Sequence, residues 1–241
     1  MLEGKRVAVV VPAHDEERLI ATTLGGIPGF VDRIIVVDDG STDATTERVR
    51  SFGDARVELV VHERNRGVGA AIVTGYKRAL DEDIDVICVM AGDNQMDPED
   101  LEALARPVAR GEVDYAKANR LFTGQAWELM PRTRYLGNAV LSMLTKIASG
   151  YWHVADSQSG FRLIRTECLR PLTLTATGYE LETEMLIKLT RRGASLCRVS
   201  IAARYDGAHS KLRNFRDTFR TCVLAVHYRY LTKDAGVRSQ T

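Results

Sequence analysis

The sequence predicts an α/β protein in which helices cover both faces of a mostly parallel sheet. Four apolar, β-branched runs recur along the first half of the chain, and a segment with helical spacing of apolar residues follows each run. Runs that are apolar throughout fit strands buried on both faces, as in parallel sheets. Their regular alternation with helices is typical of a doubly wound fold. The length of 241 residues allows one large domain or two small ones.

The first half of the chain contains four strand–helix pairs. The predicted strands are 6–11, 33–37, 56–61 and 84–90, and the predicted helices are about 16–26, 43–52, 69–81 and 97–110. Asp43 is suited to cap the second helix, because a carboxylate accepts unpaired backbone N–H groups there. Asp97 followed by Pro98 predicts the start of the fourth helix.

The second half has a less regular pattern. It predicts strands at 113–118, 160–165 and 195–204, helices at 132–149 and 179–192, and an amphipathic helix at 211–231. The simplest division is a domain over residues 1–210, followed by a C-terminal amphipathic helix and tail over residues 211–241.

The overall charge is almost balanced. Lys and Arg number 33 and Asp and Glu number 32, a net charge of +1, so nothing in the total predicts a nucleic-acid partner. The four cysteines form no CxxC pair, and the histidines lack zinc-ligand spacing. We expect neither a signal peptide nor a transmembrane helix, because the first strand begins at once and no long apolar run exists.

Polar side chains follow the predicted strands where ligands bind in open α/β sheets. Asp38, Asp39 and Asp93 come directly after the second and fourth strands. Carboxylates at these positions suit ribose hydroxyls, base amines or a divalent metal, although Asp is also common as a helix cap. The segment RGVGA at 66–70 partly matches a dinucleotide-binding motif, but a tight turn into a helix explains it better.

These motifs resemble those of family 2 glycosyltransferases, which have the GT-A fold. The matching segments of the first half are PAHDEE, DDGSTD, NRGVGAA and GDNQMDP, at 12–17, 38–43, 65–71 and 92–98. In the second half, DSQSGFR at 156–162, GYELETE at 178–184 and RYDGAHSKL at 204–212 are similar to dolichol-phosphate mannose synthases and other polyprenyl-phosphate glycosyltransferases.

The resemblance implies a role for individual residues. The nucleotide-sugar site would comprise Pro12, Ala13, His14, Glu16, Asp38, Asp39, Asp93, Ser210 and Lys211. Asp93 and Gln95 would bind Mg²⁺ or Mn²⁺ at the donor diphosphate. Asp93, Arg120 and Arg204 would be catalytic. Arg120 together with Arg132 or Arg134 would hold the acceptor phosphate. The family usually has Asp-x-Asp-x-Gln here, whereas this chain has Ala91 at the first Asp.

The implied reaction is inverting transfer of a sugar to a polyprenyl or dolichyl phosphate. GDP-mannose, UDP-glucose and UDP-N-acetylglucosamine all remain open as donors. An acceptor phosphate is already anionic near neutral pH, so no dedicated general base is expected. Asp156 and Glu184 are therefore expected to act through structure or positioning.

Two alternatives differ in substrate or in class. In the first, a family 2 enzyme uses a soluble small molecule or glycan as acceptor. In the second, the protein is a Rossmann-type oxidoreductase, but the glycine motif that such a protein has after its first strand is lacking. A lipid acceptor favours a cytoplasmic protein that is peripheral on the cytoplasmic face of a membrane. The basic helix at 211–231, or a separate membrane partner, would provide the contact.

Overall fold

The computed structural model describes residues 1–94, 96–119, 132–150, 152, 159–201, 220–225, 227 and 228, without the side chains of 132–138, 148 and 149. The strands are β1 (Val7–Ala13), β2 (Arg33–Asp38), β3 (Val57–Val61), β4 (Val86–Val89), β5 (Tyr115–Asn119), β6 (Arg162–Arg165) and β7 (Leu196–Ser200). The helices are α1 (Ile20–Gly26), α2 (Thr45–Arg50), α3 (Val68–Leu80), α4 (Asp100–Ala109), α5 (Arg132–Ser149), α6 (Thr166–Leu169) and α7 (Leu181–Arg191).

The seven strands form one sheet in the order β3-β2-β1-β4-β6-β5-β7. Strand β6 is antiparallel to β4 and β5, whereas the remaining pairings are parallel. The α/β prediction is confirmed, and each predicted strand and helix that the structure describes exists. Sequence periodicity did not identify β6 as the reversed strand, because a buried strand has the same apolar pattern in either direction.

The core lies on both faces of the sheet, as the apolar runs predict. In β1, Val7, Val9 and Val11 pack with α1, α2 and α4, whereas Ala8 and Val10 pack with α3 and α7. Successive side chains of a strand point to opposite faces, so both sets must be apolar when helices cover both sides. No helix within the described residues is both long and apolar enough to cross a membrane.

The predicted helix caps lie just before the assigned helices: α2 begins at Thr45, two residues after Asp43, and α4 begins at Asp100, three residues after Asp97. The Asp43 carboxylate accepts the N–H of Thr45 at 3.0 Å, and that of Asp97 accepts the N–H of Glu99 at 3.0 Å. Asp43 therefore binds the first residue of α2, as expected, whereas the helix after Pro98 begins two residues later than predicted and Asp97 binds the residue that precedes it. Of the predicted C-terminal helix, residues 220–225 are helical, and most of 211–241 lies outside the described residues.

Candidate functional site

The ends of three parallel strands form the framework of the site. The N–H of Asp39, just after β2, donates to the carbonyl of Ala13 at 2.8 Å. On the other side of β1, the N–H of Gly92, after β4, donates to the carbonyl of Pro12 at 3.2 Å. The segment PAHDEE therefore lies between DDGSTD and AGDNQMDP, and the strand pairing brings together three motifs that are far apart in sequence.

Backbone hydrogen bonds lock PAHDEE and DDGSTD together. The Asp15 N–H donates to the Ser41 hydroxyl at 3.0 Å, and the Thr42 N–H donates back to the Asp15 carboxylate at 2.8 Å. The Glu16 N–H donates to the Thr45 hydroxyl at 2.8 Å. These bonds fix the two loops relative to each other.

Among the predicted nucleotide-sugar residues, Pro12 and Ala13 are buried in β1, and their carbonyls accept the two hydrogen bonds described above. His14 and Glu16 are partly exposed just beyond the strand. Contact of these residues with the base or ribose stays a prediction. Pro12 and Ala13 hold the loop that presents them.

Asp38 and Asp39 are both buried, and their carboxylates bind groups of the protein itself. Asp38 accepts the Ser41 N–H at 2.9 Å and the Thr46 hydroxyl. Asp39 accepts the N–H groups of Arg66 and Gly67 at 2.9 and 2.8 Å. The two acids thus organise the loops after β2 and β3. Their contact with ribose or base stays a prediction.

His62 extends this group and was not singled out from the sequence. Its Nδ1 lies 2.7 Å from the Asp39 carboxylate, and its Nε2 lies 3.0 Å from the Thr74 hydroxyl in α3. The ring is buried, and it connects the end of β2 to α3. The only sequence signal for this role was a histidine directly after an apolar strand.

The RGVGA segment leads directly into α3, which begins at Val68, as the expected entry into a helix requires. Gly67 has a φ of 100°, and a Cβ on Gly69 would lie 2.6 Å from the carbonyl oxygen of Gly178. The N–H of Ala70 donates to the Thr177 carbonyl at 3.1 Å. The protein backbone itself occupies the start of α3, so the glycines allow close packing there, where a dinucleotide motif would instead hold a diphosphate.

Asp93 lies on the loop that follows β4, next to the end of β1. Two further hydrogen bonds hold this loop. The Gly92 carbonyl accepts the Thr23 hydroxyl at 3.1 Å, and the Met96 sulfur accepts the Ala91 N–H at 3.4 Å. Asp93 is partly exposed. Within the described part of the chain, no three His, Cys, Asp or Glu side chains gather as a metal site.

A buried charge cluster lies where β5, β6 and α7 meet, and the sequence did not predict it. The Glu182 carboxylate accepts hydrogen bonds from Lys117 at 2.9 Å and from Arg162. Lys117 also donates to the Ser159 carbonyl at 2.5 Å, and Arg162 donates to the Gly160 carbonyl at 2.9 Å. All three charged side chains are at least nine-tenths buried, and together they hold the end of the DSQSGFR segment.

Tyr76 completes the cluster from α3. Its hydroxyl accepts the Arg162 Nε–H at 3.1 Å. Burial is the main reason that the pKa of Tyr76 is raised to about 12, while the positive charge of Arg162 acts in the opposite direction. The tyrosine therefore stays neutral at physiological pH. A lysine flanked by two alanines within the strand YAKAN was the only sequence signal for this cluster.

Glu184 has a structural role, as predicted. Its buried carboxylate accepts the N–H groups of Thr175 and Ala176 at 3.0 and 2.8 Å and pairs with Lys188 at 2.6 Å. Burial alone would raise the pKa of Glu184, but the hydrogen bonds from Lys188, Ala176 and Thr175 outweigh it and lower the pKa below 4.5. The ionised carboxylate is therefore the form that the folded protein stabilises.

A pH dependence of stability follows from this arrangement. Because the folded protein lowers the pKa of Glu184, its stabilising contribution is fully present above the unfolded pKa and is lost as the pH falls through the folded value. We expect Glu184→Gln to be less stable than wild type near neutral pH and to lose less stability on acidification below about pH 4.5. Urea unfolding of both proteins across this range measures the difference. If the free energy of unfolding changed with pH in the same way in both proteins, the prediction would be wrong.

Several predicted residues cannot be placed at this site. Arg132 and Arg134 lie in the first turn of α5, where only the backbone is described. The others lie outside the described residues: Gln95, Arg120, Asp156, Arg204, Ser210 and Lys211. Their roles in metal, donor or acceptor binding stay predictions.

Comparison with known proteins gives consistent matches over most of the chain. The pattern described as Glycosyl transferase family 2 matches residues 8–172. A Methanococcus voltae protein named UDP-N-acetylglucosamine–dolichyl-phosphate N-acetylglucosaminyltransferase is 30% identical over 221 residues, covering 85% of this chain and 88% of the relative. An undecaprenyl-phosphate mannosyltransferase of Micrococcus luteus is 27% identical, covering 81% of this chain and 82% of the relative.

A solved structure extends the match to three dimensions. Glucosyl-3-phosphoglycerate synthase from Mycobacterium tuberculosis, in complex with Mn²⁺, UDP and phosphoglyceric acid, superposes with a TM-score of 0.72 at 25% identity. The match covers 97% of this chain and 81% of the synthase. Another structure of the synthase contains Mg²⁺ and UDP.

Proposed function

Because this chain belongs to the family 2 glycosyltransferases, we propose that it transfers a sugar from a nucleoside diphosphate to a polyprenyl or dolichyl phosphate. The observation that carries the proposal is the junction of β1, β2 and β4. The Gly92 N–H donates to the Pro12 carbonyl and brings the Asp93 loop beside PAHDEE, while the Asp39 N–H donates to the Ala13 carbonyl and brings DDGSTD to its other side. The names of the two sequence relatives support a lipid-phosphate acceptor.

The residues present fit a bound Mg²⁺ or Mn²⁺. Asp93 provides one partly exposed carboxylate at the strand ends, and Mg²⁺ commonly binds through one or two carboxylates together with substrate phosphates and water. Gln95 would add an amide oxygen. When bound, the metal would offset the negative charge that develops on the leaving diphosphate.

The chain's own residues would hold the substrates around that loop. His14 and Glu16 would contact the base or ribose, with their loop braced by the Ser41 and Thr45 hydroxyls. Arg120, Arg204 and the arginines that begin α5 would bind donor and acceptor phosphates, since guanidinium groups match phosphate oxygens. Attack by the acceptor phosphate in a single displacement would invert the anomeric carbon. The enzyme would act at the cytoplasmic face of a membrane.

A transfer assay tests the proposal. Purified protein is incubated with Mg²⁺ or Mn²⁺, each of GDP-mannose, UDP-glucose and UDP-N-acetylglucosamine, and a short polyprenyl phosphate. We expect one donor to give a lipid-linked product. Phosphoglyceric acid serves as the soluble acceptor in a parallel reaction. If a sugar is transferred to phosphoglyceric acid and none is transferred to polyprenyl phosphate, the proposed lipid acceptor is refuted.

The alanine at position 91 gives a prediction about metal affinity. Ala91→Asp restores the first acid of the usual family pattern, two residues before Asp93. An added carboxylate increases the charge and the number of oxygen ligands available to a hard cation, so we expect Mn²⁺ to bind roughly tenfold more tightly with UDP or GDP present. Calorimetric titration measures this binding directly. Ala91→Asn is the uncharged control, and equal affinity in both variants would contradict the prediction.

A further inference from the structure

Helix α5 has an apolar exposed face, and its packed face includes polar side chains. Val140, Met143 and Ile147 are 54%, 48% and 45% exposed. On the opposite side, Ser142 and Thr145 are buried. Leu141 is also buried, so the packed face mixes apolar and polar residues. The exposed face differs from that of a usual surface helix, in which polar residues face water.

The polar face of α5 is accommodated inside the protein. The Thr145 hydroxyl donates to the carbonyl of Leu141 at 2.9 Å and lies 3.4 Å from the hydroxyl of Thr183 in α7. Helix α5 therefore packs on α7 through small polar side chains whose hydrogen bonds are satisfied. The apolar stripe formed by Val140, Met143 and Ile147 is left facing outward, three and four residues apart along one side of the helix.

The charges on α5 are all of one sign. The helix contains Arg132, Arg134 and Lys146, and it has no Asp or Glu. Trp152, three residues beyond the helix, is 59% exposed. An apolar stripe accompanied by cations and a tryptophan is suited to the boundary between lipid headgroups and acyl chains.

We propose that the apolar stripe of α5 docks this protein on the surface of an anionic lipid bilayer. Charge complementarity favours this occupant over another protein. The exposed apolar surface is also small: stable protein interfaces bury about 800 Å² on each partner, which three aliphatic side chains and one tryptophan do not supply. Reversible docking at a membrane needs less area because anionic headgroups also attract the basic side chains.

The inference rests on the proposed lipid-phosphate acceptor, and it specifies how the acceptor site would lie relative to the membrane. The arginines proposed to bind the acceptor phosphate occupy the first turn of α5, and Met143 lies about 14 Å further along the helix axis than Arg134. One helix would then position both the acceptor phosphate and the membrane from which the lipid comes. The extended prenyl chain could stay in the bilayer while its phosphate is glycosylated.

The test is vesicle flotation of the full chain and a stripe variant, Val140→Gln/Met143→Gln/Ile147→Gln. Glutamine favours helix as well as or better than these residues do, so the fold should persist, and thermal unfolding checks this. Val61→Gln is the control, because Val61 is an exposed apolar residue in β3, an edge strand of the sheet. Vesicles contain phosphatidylcholine alone or with phosphatidylglycerol.

We expect wild type and Val61→Gln to float with the anionic vesicles and the stripe variant to bind roughly tenfold less. Equal flotation of the stripe variant, or no flotation of wild type, would overturn the inference. The inference would also be overturned if the stripe variant changed its oligomeric state in sedimentation but floated like wild type. The stripe would then bind a second copy of the chain.

The acceptor assay separates this inference from the proposed function. With a short polyprenyl phosphate dissolved without membranes, the stripe variant should retain wild-type kcat/KM. With a long-chain acceptor in vesicles, its rate should fall in parallel with binding. Loss of transfer by wild type in both assays would refute the proposed function, whereas flotation would still decide whether the stripe binds lipid.

Discussion

Replacing Asp93 with alanine is expected to lower kcat/KM for sugar transfer by about a thousandfold, or ~4 kcal/mol in transition-state stabilisation. Asp93 is the carboxylate that the β4 loop places beside the end of β1, and it would be the main protein ligand of the metal. Without it, the charge that develops on the diphosphate would lose its principal stabilisation. Initial rates across a range of Mg²⁺ or Mn²⁺ concentrations measure the effect.

Glu99→Gln is the matched control for this prediction. Glu99 is an exposed acid shortly after the same loop, so its loss tests whether any nearby negative charge is sufficient. We expect a kcat/KM close to that of wild type. Equal activity of Asp93→Ala and wild type at every metal concentration would remove Asp93 from the metal site.

Glu182→Gln is expected to destabilise the fold by about 3–5 kcal/mol. The variant keeps the shape of the side chain but removes the negative charge that lies between Lys117 and Arg162. Both cations are almost completely buried, and burial of a cation that has lost its anionic partner is costly. Urea unfolding measures the loss of stability as a lower midpoint concentration. The two midpoints can be compared directly if the free energy of unfolding depends on urea concentration with the same slope in both proteins.

The exposed ion pair between Arg165 and Glu167 provides the control. Its partners are 2.6 Å apart, yet the Glu167 side chain is 78% exposed. Water already solvates these charges, so we expect Glu167→Gln to cost less than about 1 kcal/mol. A comparable loss in both variants would show that burial is not the cause of the effect at Glu182.

The loss of Glu182 should also affect the site, because Lys117 and Arg162 hold the carbonyls of Ser159 and Gly160. If the cluster only stabilises the fold, the folded fraction of Glu182→Gln will retain normal kcat/KM at low temperature. If it positions DSQSGFR for the substrate, kcat/KM will fall even under conditions where unfolding is negligible. Activity normalised to the folded fraction distinguishes the two.

The strand–helix alternation and the positions of the strand-end motifs were predictable from the sequence. Buried parallel strands must be apolar on both faces, and β1 shows this pattern without interruption. The loops that follow such strands meet at one edge of the sheet, so Asp39 and Asp93 could be assigned to one region from their position alone. Glu184 could be expected to have a structural role because the proposed acceptor needs no base.

Only the tertiary structure decided which of these groups bind each other. Asp38 and Asp39 match a ligand-binding pattern in sequence, but their buried carboxylates hold the loops after β2 and β3. The reversal of β6, the Lys117–Arg162–Glu182 cluster and the outward apolar face of α5 also required the fold. Local sequence specifies the periodicity of an element, whereas the partner of a charge and the direction a face points depend on contacts between residues distant along the chain.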